Sequence, residues 1–136
     1  MDIRRYHHDH GEIAAQIDAL RALAHAGVAD NAEAISSHII AFASRVKFHL
    51  AAEDQVLYPT LARAGDPAVA AMGAHYQQEM QGIAAEFAEF VGQWRVPSRV
   101  KADPEGFRAG ANTVLRGLFE RLQRENRELY PAAERA

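Results

Sequence analysis

The chain has 136 residues and 49% of them are apolar, so we expect residues 1–136 to form a single domain with a buried core. The absence of cysteine excludes disulfides, thiolate metal sites and iron–sulfur clusters, and it leaves histidine and carboxylate side chains as the available metal ligands. A net charge of −3, with no long apolar run and no signal-peptide pattern, argues against nucleic acid and membrane as partners and predicts a soluble, cytoplasmic protein.

Apolar residues at helical spacing predict two helices in the first half of the chain. The first covers residues 2–26 and is followed by Gly27, the residue type favoured just after a helix C-terminus. The second covers residues 30–65, and its start is indicated by a capping pair, Asp30 and Glu33. The first half of the chain is therefore expected to form a helical hairpin.

Two further helices are predicted in the second half, and each begins with an Asp-Pro pair, a helix cap followed by a first-turn proline. Asp66 and Pro67 start the third helix, and Asp103 and Pro104 start the fourth. The periodicity stops only around residues 96–103, which we expect to be the one sizeable loop. Because no stretch alternates with a period of two, the predicted fold class is all-α, an up-down-up-down four-helix bundle.

A motif in the second helix recurs at the end of the fourth. Residues 49–59 read HLAAEDQVLYP and residues 121–131 read RLQRENRELYP. The alignment of the copies places glutamate on glutamate and histidine on arginine, namely Glu53 on Glu125 and His49 on Arg121. The i, i+4 spacing puts each pair on one helix face, where buried charges need a cation or a compensating ion network. Pro59 is expected to kink or break its helix.

The rise of about 1.5 Å per residue fixes the height of each side chain along its helix. His10 and His49 come out roughly 25 and 28 Å from the first loop, so they are nearly level on antiparallel neighbours. Similar counts across the other two loops bring further polar side chains to about the same depth. The predicted polar layer contains His10, His49, Glu53, His75, Glu79, Arg121 and Glu125.

Four segments carry this layer: HLAAEDQVLYP, His10 within HHDHGEI, His75 within GAHYQQE, and the second Glu-x-x-x-Leu-Tyr-Pro. Together they resemble the hemerythrin-like, or HHE cation-binding, domains over essentially the whole chain. The resemblance implies a four-helix bundle with a non-haem di-iron centre that binds dioxygen or related small oxidants. It also implies a set of metal ligands, with Glu53 and Glu125 as bridges, His10 and His49 on one metal, His75 on the other, and Glu79 in the place of a further ligand.

Arg121 departs from the family pattern, which has a histidine at this position. A guanidinium stays protonated near neutral pH and has no lone pair for a metal, so one metal would lose a ligand. Pointing inward, Arg121 can form a bidentate pair with Glu125 or Glu79. Three outcomes are open: a dinuclear site with an open position, a single metal held by ligands of the first two helices, or a buried ion network without metal. The preferred interpretation is a site in which one metal position has fewer ligands than the other, or a mononuclear site.

These residues favour a protein that binds or senses dioxygen, nitric oxide or peroxide through iron, which suits mixed imidazole and carboxylate ligands and is redox-active. One alternative is an iron-dependent redox enzyme or a metal-cluster repair factor, although the sequence indicates no separate acid, base or substrate pocket. Another is a metal-free bundle that acts through a protein partner. The sequence does not decide whether the chain is an enzyme, nor its oligomeric state.

Overall fold

The computed structural model describes residues 1–136 and contains helices but no strand. The α-helices are α1 (Arg4–Ala26), α2 (Ala32–Ala52), α3 (Tyr58–Ala62), α4 (Pro67–Trp94), α5 (Pro97–Ala102), α6 (Pro104–Arg124) and α7 (Tyr130–Arg135). Two π-helical segments, Glu53–Leu57 and Glu125–Leu129, join α2 to α3 and α6 to α7 without a break. Four long rods result, and the predicted up-down-up-down bundle is confirmed.

The two Asp-Pro starts behave as predicted. Asp66 accepts a hydrogen bond from the Ala68 amide at 2.9 Å, and Asp103 accepts one from the Gly106 amide at 2.9 Å. Each carboxylate therefore satisfies one of the amides that a helix start leaves without an internal partner.

Two local predictions were wrong. The residue before α2 is Asn31 rather than Asp30, and its side chain donates to the Gly27 carbonyl instead of capping an amide. Residues 97–102, predicted as loop, form the short helix α5, because Pro97 presets its first turn and Val100 is fully buried on its inner side.

The predicted kink near Pro59 takes the form of a π-helical segment that ends just before the proline. Proline has no amide to donate, and its ring would clash with the carbonyl four residues earlier in a regular α-helix. The wider π turn relaxes that contact, and the same segment precedes Pro131 in the second copy of the motif. Both copies therefore share a backbone irregularity that their sequence similarity alone did not indicate.

A polar layer separates two apolar clusters along the bundle. The larger cluster includes Ile13, Val46, Met80 and Leu122, and the smaller includes Tyr6, Leu57, Tyr76, Leu129 and Tyr130. His10, His49, Glu53, Glu79 and Glu125 each fall in sequence between a member of one cluster and a member of the other. Apolar packing on both sides thus removes the polar layer from water. None of the helices has the length and apolar composition that crossing a membrane requires.

Candidate metal centre

Four side chains from three rods converge within the polar layer: His10 of α1, His49 at the end of α2, and Glu53 and Glu125, which open the two π-helical segments. One potential ligand atom from each lies within 4.8 Å of all the others. The four side chains are between 0% and 4% exposed. Burying so many ionisable groups together is costly unless they share a cation or pair closely.

Both imidazoles are oriented by hydrogen bonds at their outer nitrogens. His10 Nδ1 lies 2.8 Å from Asn126 Oδ1, and His49 Nδ1 lies 3.1 Å from a carboxylate oxygen of Asp9. Because both partners are acceptors, each Nδ1 carries a hydrogen, and each Nε2 is directed inward, where it can bind a proton or a metal. Such outer contacts are the usual way in which metal-binding histidines are fixed in one tautomer.

The inner nitrogens face each other, with His10 Nε2 and His49 Nε2 3.1 Å apart. Two lone pairs at this distance repel unless a positive charge lies between them. In the metal-free chain a proton on His49 supplies this positive charge. Burial opposes a charged His49, but contacts with Glu53 and Asp9 and the charge of Glu125 outweigh burial and raise the pKa of His49 to about 8.

The two glutamates have opposite electrostatic surroundings. Burial and the nearby charge of Glu125 raise the pKa of Glu53, although His49 and Tyr130 act against this shift. For Glu125 burial also acts upward, but the His10 hydrogen bond and the Arg121 guanidinium prevail and lower its pKa. Glu125 is therefore the better stabilised anion. Glu53 is the carboxylate whose ionised form would gain more from a nearby cation.

The hydroxyl oxygen of Tyr130 lies among the four side chains. It is 2.7 Å from His10 Nε2 and from Glu53 Oε2, and 3.4 Å from His49 Nε2 and Glu125 Oε1. Burial and the two glutamate charges raise the pKa of its phenol strongly. Tyr130 thus presents a hydroxyl to every candidate ligand.

Arg121 points inward, and its side chain is only 1% exposed. Its Nε donates to Glu125 Oε2 at 3.0 Å and its Nη1 to Glu79 Oε1 at 3.2 Å. Its Nη2 donates to the Tyr58 hydroxyl at 3.0 Å and to the Tyr76 carbonyl at 2.8 Å. The guanidinium also stacks 4.6 Å from the centre of the Tyr76 ring.

This arrangement gives Arg121 the role of a fixed cation beside Glu125. Four of its five N–H groups have partners, so the side chain is held in one position. A second metal ion bound against the same Glu125 oxygen would have to displace a guanidinium with the same sign of charge. On this half of the layer a guanidinium, and not an imidazole, therefore lies beside Glu125.

His75 and Glu79, predicted to join the layer, lie at its edge. The His75 side chain is 70% exposed and contacts Glu79 at 3.7 Å, away from the cluster. Glu79 is partly buried and accepts from Arg121 and from Arg124, the latter at 2.8 Å. The structure thus brings together His10, His49, Glu53 and Glu125, places Glu79 on the guanidinium, and leaves His75 at the surface.

Four residues of the site were missed by sequence reasoning: Asp9, Asn126, Tyr58 and Tyr130. The tyrosines had a signal, because both belong to the repeated Leu-Tyr-Pro. On a regular helix a residue five positions after a glutamate points about 140° away from it. In a π-helical segment residue i+5 lies above residue i instead, and the Tyr130 amide indeed donates to the Glu125 carbonyl.

The donor set fits a metal ion. Two imidazole nitrogens and two carboxylates are a common mixed ligand set for iron, manganese or zinc. Glu53 Oε1 is buried and has no hydrogen-bond partner, which a cation bound beside it would satisfy. Both imidazoles are already held with Nε2 inward. The residues therefore match one cation on the His10, His49 side of the layer.

The fold and this buried group define an all-α bundle protein of the metal-binding type. The match to known families agrees: the chain belongs to the hemerythrin HHE cation binding domain family, whose model matches residues 1–133. Comparison with curated proteins and with solved structures gave no match. Family membership and the buried histidine and glutamate group together support metal binding.

Proposed function

We propose that this chain holds one non-haem iron ion between His10, His49, Glu53 and Glu125, and that it binds or senses dioxygen or a related small oxidant such as nitric oxide or peroxide. The observation that carries the proposal is the pair of inner imidazole nitrogens, 3.1 Å apart, whose outer nitrogens are both engaged by acceptors. That arrangement favours a shared cation.

Iron is the preferred metal because the ligands are two imidazoles and two carboxylates, with no thiolate in the chain. Bound iron would supply a redox-active centre with coordination positions for a small ligand. The protein residues supply the rest: Asp9 and Asn126 hold the imidazoles in one tautomer, and the apolar clusters on either side keep water away.

A single metal per chain is favoured by Arg121. Its guanidinium donates to Glu125 and Glu79 and is 1% exposed, so a cation already stands against the carboxylates on that side. A second metal there would also lack the imidazole that the aligned position of the first copy provides in His49. The proposal is therefore for a mononuclear site rather than the di-iron centre that the family resemblance implied.

A small ligand is favoured by burial. The four candidate ligands are at most 4% exposed, so a bulky substrate has no direct access to them. Diatomic molecules and peroxide are small enough to pass through the side-chain fluctuations of a helical bundle. This is why binding or sensing ranks above turnover of a larger substrate, and why cluster repair or an enzymatic role stands second.

The test is the iron content of purified protein after anaerobic incubation with ferrous iron and removal of excess metal. His49→Ala should lose most bound iron, because it removes a buried ligand. His75→Ala is the matched control, since it removes a histidine that the family resemblance also implied as a ligand but that is exposed in the structure. Its iron content should equal that of the unmodified chain. Equal iron in both variants contradicts the ligand assignment.

A second measurement addresses the ligand. The iron-loaded chain should change its absorption spectrum on exposure to dioxygen or nitric oxide, and removal of the gas should reverse the change for a carrier or sensor. Continuous consumption of oxidant would instead favour the enzymatic alternative. An unmodified chain that binds no iron would favour the metal-free bundle acting through a protein partner, with Arg121 neutralising the layer.

A further inference from the structure

We propose that Tyr130 is a fifth ligand to the metal, a role that rests on the iron site proposed above and adds a phenolate oxygen to it. The hydroxyl oxygen lies 2.7 Å from His10 Nε2 and Glu53 Oε2, and 3.4 Å from His49 Nε2 and Glu125 Oε1. This oxygen therefore lies within contact distance of all four candidate ligand atoms.

The distances match the edges of a six-coordinate metal site. Metal–ligand bonds of about 2.1 Å at right angles put neighbouring ligand atoms about 3.0 Å apart. Among the four ligand atoms, Glu125 Oε1 to His10 Nε2 is 3.0 Å, His10 Nε2 to His49 Nε2 is 3.1 Å, and His49 Nε2 to Glu53 Oε2 is 3.5 Å. Tyr130 lies next to each of these four atoms, so the five atoms form one compact group with spacings near that value.

Hydrogen bonding alone does not account for these contacts. Both Nδ1 hydrogens of the histidines are directed outside, toward Asn126 and Asp9. Among the five converging atoms, the Tyr130 hydroxyl supplies one proton, and a protonated histidine and a protonated Glu53 would each supply one more. Three protons then serve seven close contacts between atoms that otherwise offer lone pairs, so a multivalent cation satisfies the group better than protons do.

The first copy of the motif, residues 49–59, shows what a tyrosine at this position does. Tyr58, which aligns with Tyr130, directs its hydroxyl oxygen at the Arg121 guanidinium, 3.0 Å away. Each π-helical segment thus places a tyrosine across the layer, and in one case its oxygen already faces a cation. By the same geometry Tyr130 faces the position between His10 and His49.

Coordination exchanges the O–H bond of Tyr130 for a bond between its oxygen and the metal. The phenolic proton leaves to solvent, and no oxidation state changes in this step. Hard oxygen ligands suit iron, particularly in its ferric form. A ferric ion bound to phenolate has a charge-transfer band in the visible region, which neither imidazole nor carboxylate ligands produce with ferric iron alone.

The experiment is absorption and resonance Raman spectroscopy of chain loaded with ferrous iron and then oxidised with a mild one-electron oxidant, with iron content measured on the same samples. We expect a visible band whose excitation enhances tyrosine ring modes, and a shift of those modes when the chain is grown with ring-deuterated tyrosine. Tyr130→Phe should lose the band and keep iron, because four ligands are left. Tyr58→Phe, the matched control, should keep both.

The outcomes separate the two proposals. Iron binding by the unmodified chain without a visible tyrosine band overturns the Tyr130 assignment and leaves the iron site standing, with Tyr130 a neutral hydrogen-bond donor to Glu53. Loss of the band in Tyr58→Phe but not in Tyr130→Phe also overturns it. No iron in the unmodified chain overturns both proposals. Should Tyr130→Phe fail to fold, the isotope shift in the unmodified chain still decides whether a tyrosine is bound.

Discussion

His10 and His49 approach each other across two helices with 3.1 Å between their Nε2 atoms, while their Nδ1 atoms are held from outside by Asn126 and Asp9. This relationship explains how the site remains ordered before a metal binds. The outer acceptors set both rings, and the inner lone pairs share whatever positive charge is available, a proton or a metal ion.

The metal-free chain should lose stability as pH rises through 8. The pKa of His49 is raised from 6.5 to about 8 by contacts with Glu53, Asp9 and Glu125, despite burial. A raised histidine pKa stabilises the fold fully below the unfolded value and loses that effect above the folded one. We expect the free energy of unfolding to fall by about 2 kcal/mol between pH 6 and pH 9, measured by urea denaturation with chelator.

His49→Gln is the control for this pH dependence. Glutamine keeps a polar side chain but has no proton to exchange in this range, so the decline should be largely absent. A decline of the same size in both proteins would show that other groups cause it.

Asp9→Asn should weaken metal binding although it replaces no candidate ligand. The Asp9 carboxylate accepts from His49 Nδ1 at 3.1 Å, and the loss of such outer partners commonly reduces metal affinity by about 10- to 100-fold. Asp18→Asn, an exposed change on the same helix, is the control and should leave affinity unchanged. Competition against a chelator of known affinity measures both, and equal affinities would contradict a role for Asp9.

Arg121→Met should destabilise the bundle strongly. Removal of the guanidinium leaves the buried Glu125 without an Nε contact of 3.0 Å and Glu79 without its inner partner, and breaking a buried ion pair typically costs about 3–5 kcal/mol. Arg108→Met breaks an exposed pair with Glu105 and should change stability by less than about 1 kcal/mol. Similar losses in chemical denaturation of the two variants would contradict the structural role of Arg121.

Part of the site followed from sequence because helix geometry is regular between the loops. The heights of His10 and His49 above the first loop come from residue counts alone, and the two rings do meet. The i, i+4 spacing likewise put Glu53 on the same helix face as His49, and Glu125 on the same face as Arg121. The bundle itself followed from apolar periodicity and from the Asp-Pro helix starts.

The rest failed for identifiable reasons. A residue count gives height but not rotation about the helix axis, so His75 was placed at the right depth although Tyr76, one residue later, faces the interior. The π-helical segments change the periodicity from 3.6 residues per turn, which hid Tyr58 and Tyr130. Asp9 and Asn126 act on the far nitrogens of the imidazoles, and such contacts between helices have no sequence spacing.

The most direct test of the account is the iron-to-chain ratio, by elemental analysis, of the unmodified chain and of Arg121→His after saturation with ferrous iron. We expect one iron in the unmodified chain, because Arg121 occupies the second position. Arg121→His removes that charge and restores an imidazole four residues before Glu125, so its ratio should rise toward two. Arg124→His, which changes a half-exposed neighbour, should stay at one. A ratio of two in the unmodified chain, or of zero, would contradict the account.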